Sequence, residues 1–196
     1  MAHVGGSWPG GRLAPTFLAL LFGLAAGPRE TARLQQGQSK QLPEYVVKAG
    51  FLYNFAKYVE WPAESFEKPE TPISIAIVGA DPFGAELDKA LKDKRAQERG
   101  FVIHRYRSPA DLQACHILFI PKSEKARVAD ILKKVEGWAT LTVGEDEGFA
   151  KGGGAVNILI EKEKPRLEVN PDVAEKAKLT ISAKLLKLAT LVKTEK

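Results

Sequence analysis

The sequence predicts an α/β fold: a mainly parallel β-sheet, helices on both faces and an antiparallel hairpin at one edge. Three observations predict it. Short apolar, β-branched runs (73–78, 101–105, 116–120 and 140–143) alternate with longer segments of helical character. That alternation is the mark of parallel strands joined by crossover helices. The last two apolar runs, 155–160 and 166–169, are joined only by the polar stretch Glu161–Pro165, which reads as a hairpin. The chain has 196 residues, 44% hydrophobic and 27% charged, which suits one domain with a real core.

The elements follow in order. The first 26 residues carry no acid and one arginine, Arg12, before the apolar run Leu13–Ala26, which ends in small residues. This is the pattern of an export signal at about 1–25, and it is shorter than the ~20 apolar residues of a membrane span. Residues 26–42 are polar and glutamine-rich and are expected to be a flexible lead-in. The α/β domain is expected over 43–196. Val47, Phe51, Phe55 and Tyr58 recur at helical spacing, so the spacing predicts a helix over 44–60, stopped by Pro62. Ile73–Val78 reads as a buried strand. Asp81 then reads as a helix N-cap with Pro82 at the first helical position, and the helix covers 82–94. Strands at 101–105 and 116–120 follow, then a helix from Ser123 to about Val135, a strand at 140–143 and the hairpin. Asn170-Pro171-Asp172 is a strong helix start. A last helix is expected over 182–193, with Leu185, Leu188 and Val192 on one face and lysines toward its end. Together these elements make a single-domain sheet of the Rossmann-like or flavodoxin-like kind.

Composition narrows the function classes. The net charge is +5, but lysines are scattered among acids, as in Lys89–Arg95. That is a solvated helix face and not the dense basic stripe of a nucleic-acid binder. The only cysteine is Cys115, so neither an intramolecular disulfide nor a cysteine-rich metal site can form. His3 lies in the export signal, and His104 and His116 sit in or beside strands. Neither His-Glu-x-x-His nor Gly-x-Ser-x-Gly occurs. No catalytic residue, cofactor or metal is therefore expected.

Two loops invite sharper readings. Gly79–Gly84 is a strand-to-helix turn, where dinucleotide folds place glycines against a pyrophosphate; here Asp81 would repel phosphate. Glu145–Gly154 joins an acidic triplet to three consecutive glycines. It lacks the Gly-Lys-Ser/Thr of a phosphate loop and the spacing of a calcium loop. It is expected to be an exposed, mobile loop with Phe149 at its tip, a feature suited to partner contact.

Four stretches together resemble the YfiR family of periplasmic proteins: Lys48–Pro62, Asp81–Gly84, Leu141–Gly154, and Glu168–Asn170 with Ser182–Ala189. The resemblance spans nearly the whole chain after the export signal. It implies an exported, non-catalytic regulator that represses an inner-membrane diguanylate cyclase through that enzyme's periplasmic part, lowering cyclic di-GMP and biofilm formation. It also implies dimerisation and, in some members, disulfide control, from which this sequence departs by lacking a partner for Cys115. The expected partner-binding residues are Tyr53, Asn54, Tyr58 and Trp61, whose rings suit interface anchors, and Phe149. The same aromatics could equally pack the first helix onto the sheet. The other reading is a module that senses a small molecule or nucleotide, without a cyclase partner. It predicts a pocket near Gly79–Gly84 or Gly144–Gly154, where α/β folds keep their crevices.

Overall fold

The computed structural model describes residues 29–162 and 164–195; the export signal expected at 1–25 lies outside them. The first helix, α1 (Arg29–Tyr58), begins well before position 44. Residues 29–42 lack an apolar stripe but are rich in Arg, Glu, Ala, Gln and Lys, whose helix propensity needs no periodicity. The short β1 (Val59–Glu60) follows, then β2 (Ile73–Val78), α2 (Ala85–Leu91), β3 (Phe101–Tyr106), β4 (Ile117–Ile120), α3 (Val128–Lys134) and β5 (Leu141–Gly144). β6 (Val156–Glu161) and β7 (Lys164–Val169) form the expected hairpin. The chain closes with α4 (Pro171–Lys176), β8 (Thr180–Ile181), α5 (Ala183–Leu186) and β9 (Thr190–Leu191).

Seven strands form the main sheet in the order β3-β2-β4-β5-β6-β7-β9. All neighbours pair in parallel except the β6–β7 hairpin, so the α/β class read from the sequence holds. The first five strands carry the flavodoxin-type order, which reverses direction of winding between β2 and β4. Because side chains alternate along a strand, each strand feeds two cores. Ile73, Ile75, Ile77, Ile117 and Phe119 pack under α1 and α2 through Leu52, Phe55, Val59 and Leu87. Ala76, Val78, Leu118 and Ile120 meet Ile131 of α3, Val135 and Phe149 on the other face.

Several boundaries differ from the sequence reading. The buried stripe on α1 is Lys48, Leu52 and Phe55, continued by Val59 of β1, one position round from the expected Val47–Phe51–Phe55–Tyr58, and Val47 is exposed. Helix α2 does not start at Pro82. Asp81 Oδ1 does accept from the Phe83 amide at 2.8 Å, as a cap would, but Gly84 takes φ +53° and the helix begins behind it. Asp93 at φ +56° ends the same segment early. The Lys122–Arg127 stretch is a 3-10 helix leading into α3. The helix expected over 182–193 is only α5, capped by Ser182, after which the chain extends as β9. Of its apolar residues Leu185 is buried, whereas Leu188 is 75% exposed. A longer helix would gain little burial there, while extension lets the Val192 amide donate to Val169 O at 2.9 Å. The Asn170 start holds as read: its Oδ1 accepts from the Val173 amide, with Pro171 at the first helical position.

Candidate functional site

The reversal between β2 and β4 opens a crevice at the carboxyl end of the sheet, where folds of this order hold ligands. Here the protein fills it with its own charges. Gly79, at φ +82°, lies directly under Glu124; a Cβ there would sit 2.1 Å from Glu124 Oε1. Glu124 is itself buried and ion-paired with Arg127 at 2.6 Å. Beside it, Glu145 leaves the end of β5 only 1% exposed. Its carboxylate accepts from Lys48 Nζ at 2.6 Å, the Lys122 amide at 2.8 Å and the Tyr45 hydroxyl at 3.3 Å. Lys48 is fully buried and also donates to Glu44. Burial, then the charge of Glu145, pushes the Tyr45 hydroxyl well above its ordinary range, so it stays a donor.

The glycine loop is closed as well. The Phe149 ring lies between Gly144 and Gly154, where added Cβ atoms would approach it to 2.3 and 2.0 Å. Phe149 is 5% exposed, so the exposed tip expected from the sequence is corrected to a core residue. The loop is tied by the Gly154 amide to Phe149 O, by Asn157 Nδ2 to Asp146 O and by Asn170 Nδ2 to Ala150 O. Its apolar content and these ties overcome the mobility that glycines and acids suggest. Two acids of the triplet are spent on Lys48 (Glu145) and Lys125 (Asp146, 2.8 Å), and Glu147 is exposed. Among the described residues no three His, Cys, Asp or Glu side chains are placed to hold a metal ion.

At the amino end of the sheet, a cavity of about 650 Å³ is lined by Ser74, His104, Cys115, His116 and Trp138. His116 Nδ1 accepts from the Ser74 amide at 3.0 Å and lies 2.7 Å from Ser74 Oγ. The lone pair a general base would use is thus engaged by backbone, so this Ser–His pair reads as structural. Phe66 stacks on the imidazole at 4.4 Å and Trp61 meets it edge-on at 5.8 Å. Burial pushes the Cys115 thiol up to about 12, which keeps it protonated and unreactive. Burial, with Arg99 adding, holds His116 below its ordinary 6.5. The unfolded chain then binds a proton that the folded one refuses. The stability from neutral His116 is present above about pH 6.5 and lost as pH falls below it. The denaturation midpoint should fall on acidification across that window, and His116→Asn, which keeps an acceptor but does not titrate, should flatten the dependence.

The expected partner residues separate into two groups. Trp61 is 7% exposed and donates from Nε1 to His116 O at 3.0 Å, so it packs the end of α1. With Phe149 on the opposite face of the sheet, these two are interior. Tyr53, Asn54 and Tyr58 remain together on the outer side of α1. Tyr53 packs edge-on to Phe101 at 5.9 Å, and its hydroxyl donates to Arg95 O at 3.3 Å. Asn54 is exposed. Tyr58 lies under the ammonium groups of Lys57 and Lys184, and the hydrogen bond to Lys184 lowers its hydroxyl pKa. Exposed Val46 and Val47 extend this face toward the start of the helix. The sequence reading missed Lys48, Glu124 and Glu145. The signal was available for one of them: Lys48 stands four, seven and eleven residues before Leu52, Phe55 and Val59, on the buried stripe.

A family model described as YfiR/HmsC-like matches residues 45–190. No curated protein matches the chain. Among solved structures, a conserved domain protein from Vibrio cholerae O1 biovar El Tor strain N16961 is similar, with 14% identity, a TM-score of 0.47, and coverage of 61% of this chain and 54% of that one. The ABC domain from Streptococcus pneumonia, solved in complex with L-Trp, has 11% identity and a TM-score of 0.45, with coverage of 61% and 55%. The chain thus spans about half the length of each. No helix among the described residues is long and apolar enough to cross a membrane.

Proposed function

From the premise that the chain belongs to the YfiR/HmsC-like family, we propose that this regulator of cyclic di-GMP signalling acts in the periplasm by binding the periplasmic part of an inner-membrane diguanylate cyclase and repressing it. The observation that carries the reading is what fills the fold's ligand positions. Glu124 occupies the space over Gly79, and Phe149 occupies the space between Gly144 and Gly154. A small-molecule sensor would need one of those spaces open, so the sensing alternative loses both of its expected sites. The outer side of α1, by contrast, offers Tyr53, Asn54 and Tyr58 with a half-exposed aromatic content that suits an interface. Tyrosine contributes large contact area with few rotatable bonds, so it loses little entropy on binding. Export by the 1–25 segment would deliver the chain to the compartment where that cyclase surface lies.

The test is retention of membrane proteins by the tagged protein from a mildly solubilised cell envelope, with mass spectrometry of what is held. A diguanylate cyclase is expected among the retained proteins, and its amount should fall about tenfold or more with the Tyr53→Ala, Tyr58→Ala pair, as for truncated interface anchors. Retention of no cyclase by the unmodified protein would refute the reading.

A further inference from the structure

The two edges of the main sheet are unlike. One is β9, two residues long, too short to template another strand. The other is β3, six residues long and hydrogen-bonded to β2 alone. The Ile73 amide donates to Gly100 O and the Gly79 amide to Tyr106 O. In a parallel ladder these inward groups recur every second residue, so Val102 and His104 also turn their backbones toward β2. The N–H and C=O groups of Phe101, Ile103 and Arg105 therefore point to the open side. An uncovered edge of this kind accepts an added strand.

A groove of about 860 Å³ runs beside that edge. Phe101 and Ile103 line it together with Lys89, Lys92, Lys94 and Arg95. Lys89 is ion-paired with Glu86 and Asp88 with Arg105, which leaves Lys92, Lys94 and Arg95 against Asp93. The local charge is thus positive. The groove is continuous with the outer side of α1, since Tyr53 touches both Phe101 and Arg95.

We infer that the β3 edge and its basic rim form a strand-addition site for an extended, acidic segment of a protein partner. The inference deepens the reading of this protein as a partner-binding regulator and rests on it for the class of partner. Main-chain bonds to residues 101, 103 and 105 would supply affinity, and the rim would select for acidic side chains.

The probe is a short peptide of alternating valine and glutamate, compared with one of alternating valine and lysine, added to isotopically labelled protein. The glutamate peptide should slow hydrogen exchange at the Phe101, Ile103 and Arg105 amides about tenfold or more, and the lysine peptide should not. Ile103→Pro should abolish this protection while leaving the β2 ladder intact, because the Ile103 amide is not part of it. The Lys92→Glu, Lys94→Glu pair should reverse the peptide preference without touching the backbone, which keeps the test valid even if the proline variant unfolds. Absence of protection at those three amides, or an unchanged preference in the charge-reversed pair, overturns the inference. The peptide measurement judges the groove by itself. A positive peptide result with no cyclase retained from the envelope would sink only the cyclase reading. A cyclase held equally well by the charge-reversed pair would sink only the groove.

Discussion

Lys48→Ala is expected to lower the stability of the folded protein by about 3–5 kcal/mol, the usual cost of stripping one partner from a buried ion pair. For a chain of this length that is a fall in melting temperature of roughly 10 °C or more. Lys48 and Glu145 are both essentially inaccessible to water, and a lone buried charge loses its hydration without recompense. In the native protein the Glu145 carboxylate is satisfied three ways, by Lys48, the Lys122 amide and Tyr45. Removing Lys48 leaves two neutral donors against a full negative charge, and it opens a gap under α1. Removing both charges is different. Lys48→Met with Glu145→Gln keeps the volume and leaves only the partly solvated Glu44 without its ion partner, so it should recover most of the loss. Calorimetric melting of the single and double variants checks this. A single variant melting within a few degrees of the parent would mean that the pair is not what fastens α1 over the carboxyl end of the sheet.

Phe149→Ala should be of similar size, about 3–5 kcal/mol, the range for deleting a buried aromatic ring. The ring belongs to the second core, with Leu118, Ile120 and Ile131. Its two flanking glycines cannot move in to fill the gap, because Gly144 closes β5 and Gly154 is held by its bond to Phe149 O. The complementary change, Gly154→Ala, would place a methyl group 2.0 Å from the ring and should also destabilise. Denaturant melts measure both. The prediction separates packing from recognition: at a temperature where Phe149→Ala is still folded, partner retention should match the parent. Lost retention with unchanged stability would return Phe149 to the interface.

Much of the fold was legible because the central strands are short apolar runs between turn residues, and periodicity reads such runs well. β2, β4 and β5 lie where the sequence puts them, and the Asn170 cap and the β6–β7 hairpin carry local chemistry that no distant contact overrides. What escaped was decided at a distance. The last helix shrank to α5 because Leu188 and Leu191 found no core to enter, whereas the free edge of β7 offered hydrogen bonds. Asp81 keeps its bond to the Phe83 amide, but its second oxygen is taken by Arg105, 24 residues on, and the helix starts only behind Gly84. On α1 Lys48 and Ala49 face inward while Phe51 and Tyr58 stay half-buried, because Glu145 gives the lysine a buried partner that no local pattern announces. The site divided in the same way. Asn54 and Tyr58 stand four residues apart and stayed neighbours by helical spacing alone, and Lys57 lies over the rings of both Tyr53 and Tyr58. Trp61 and Phe149 were set apart by tertiary packing, for which single residues carry no local signal.

Whether the outer side of α1 holds a cyclase is decided by the envelope retention experiment, run in parallel on three forms of the protein. These are the parent, the Tyr53→Ala, Tyr58→Ala pair, and a Leu188→Ala variant altered at an exposed site distant in sequence from α1. Cyclase should be retained by the parent and by Leu188→Ala, and largely lost by the tyrosine pair at unchanged melting temperature. No cyclase with any form, or equal amounts with all three, would contradict the cyclase reading.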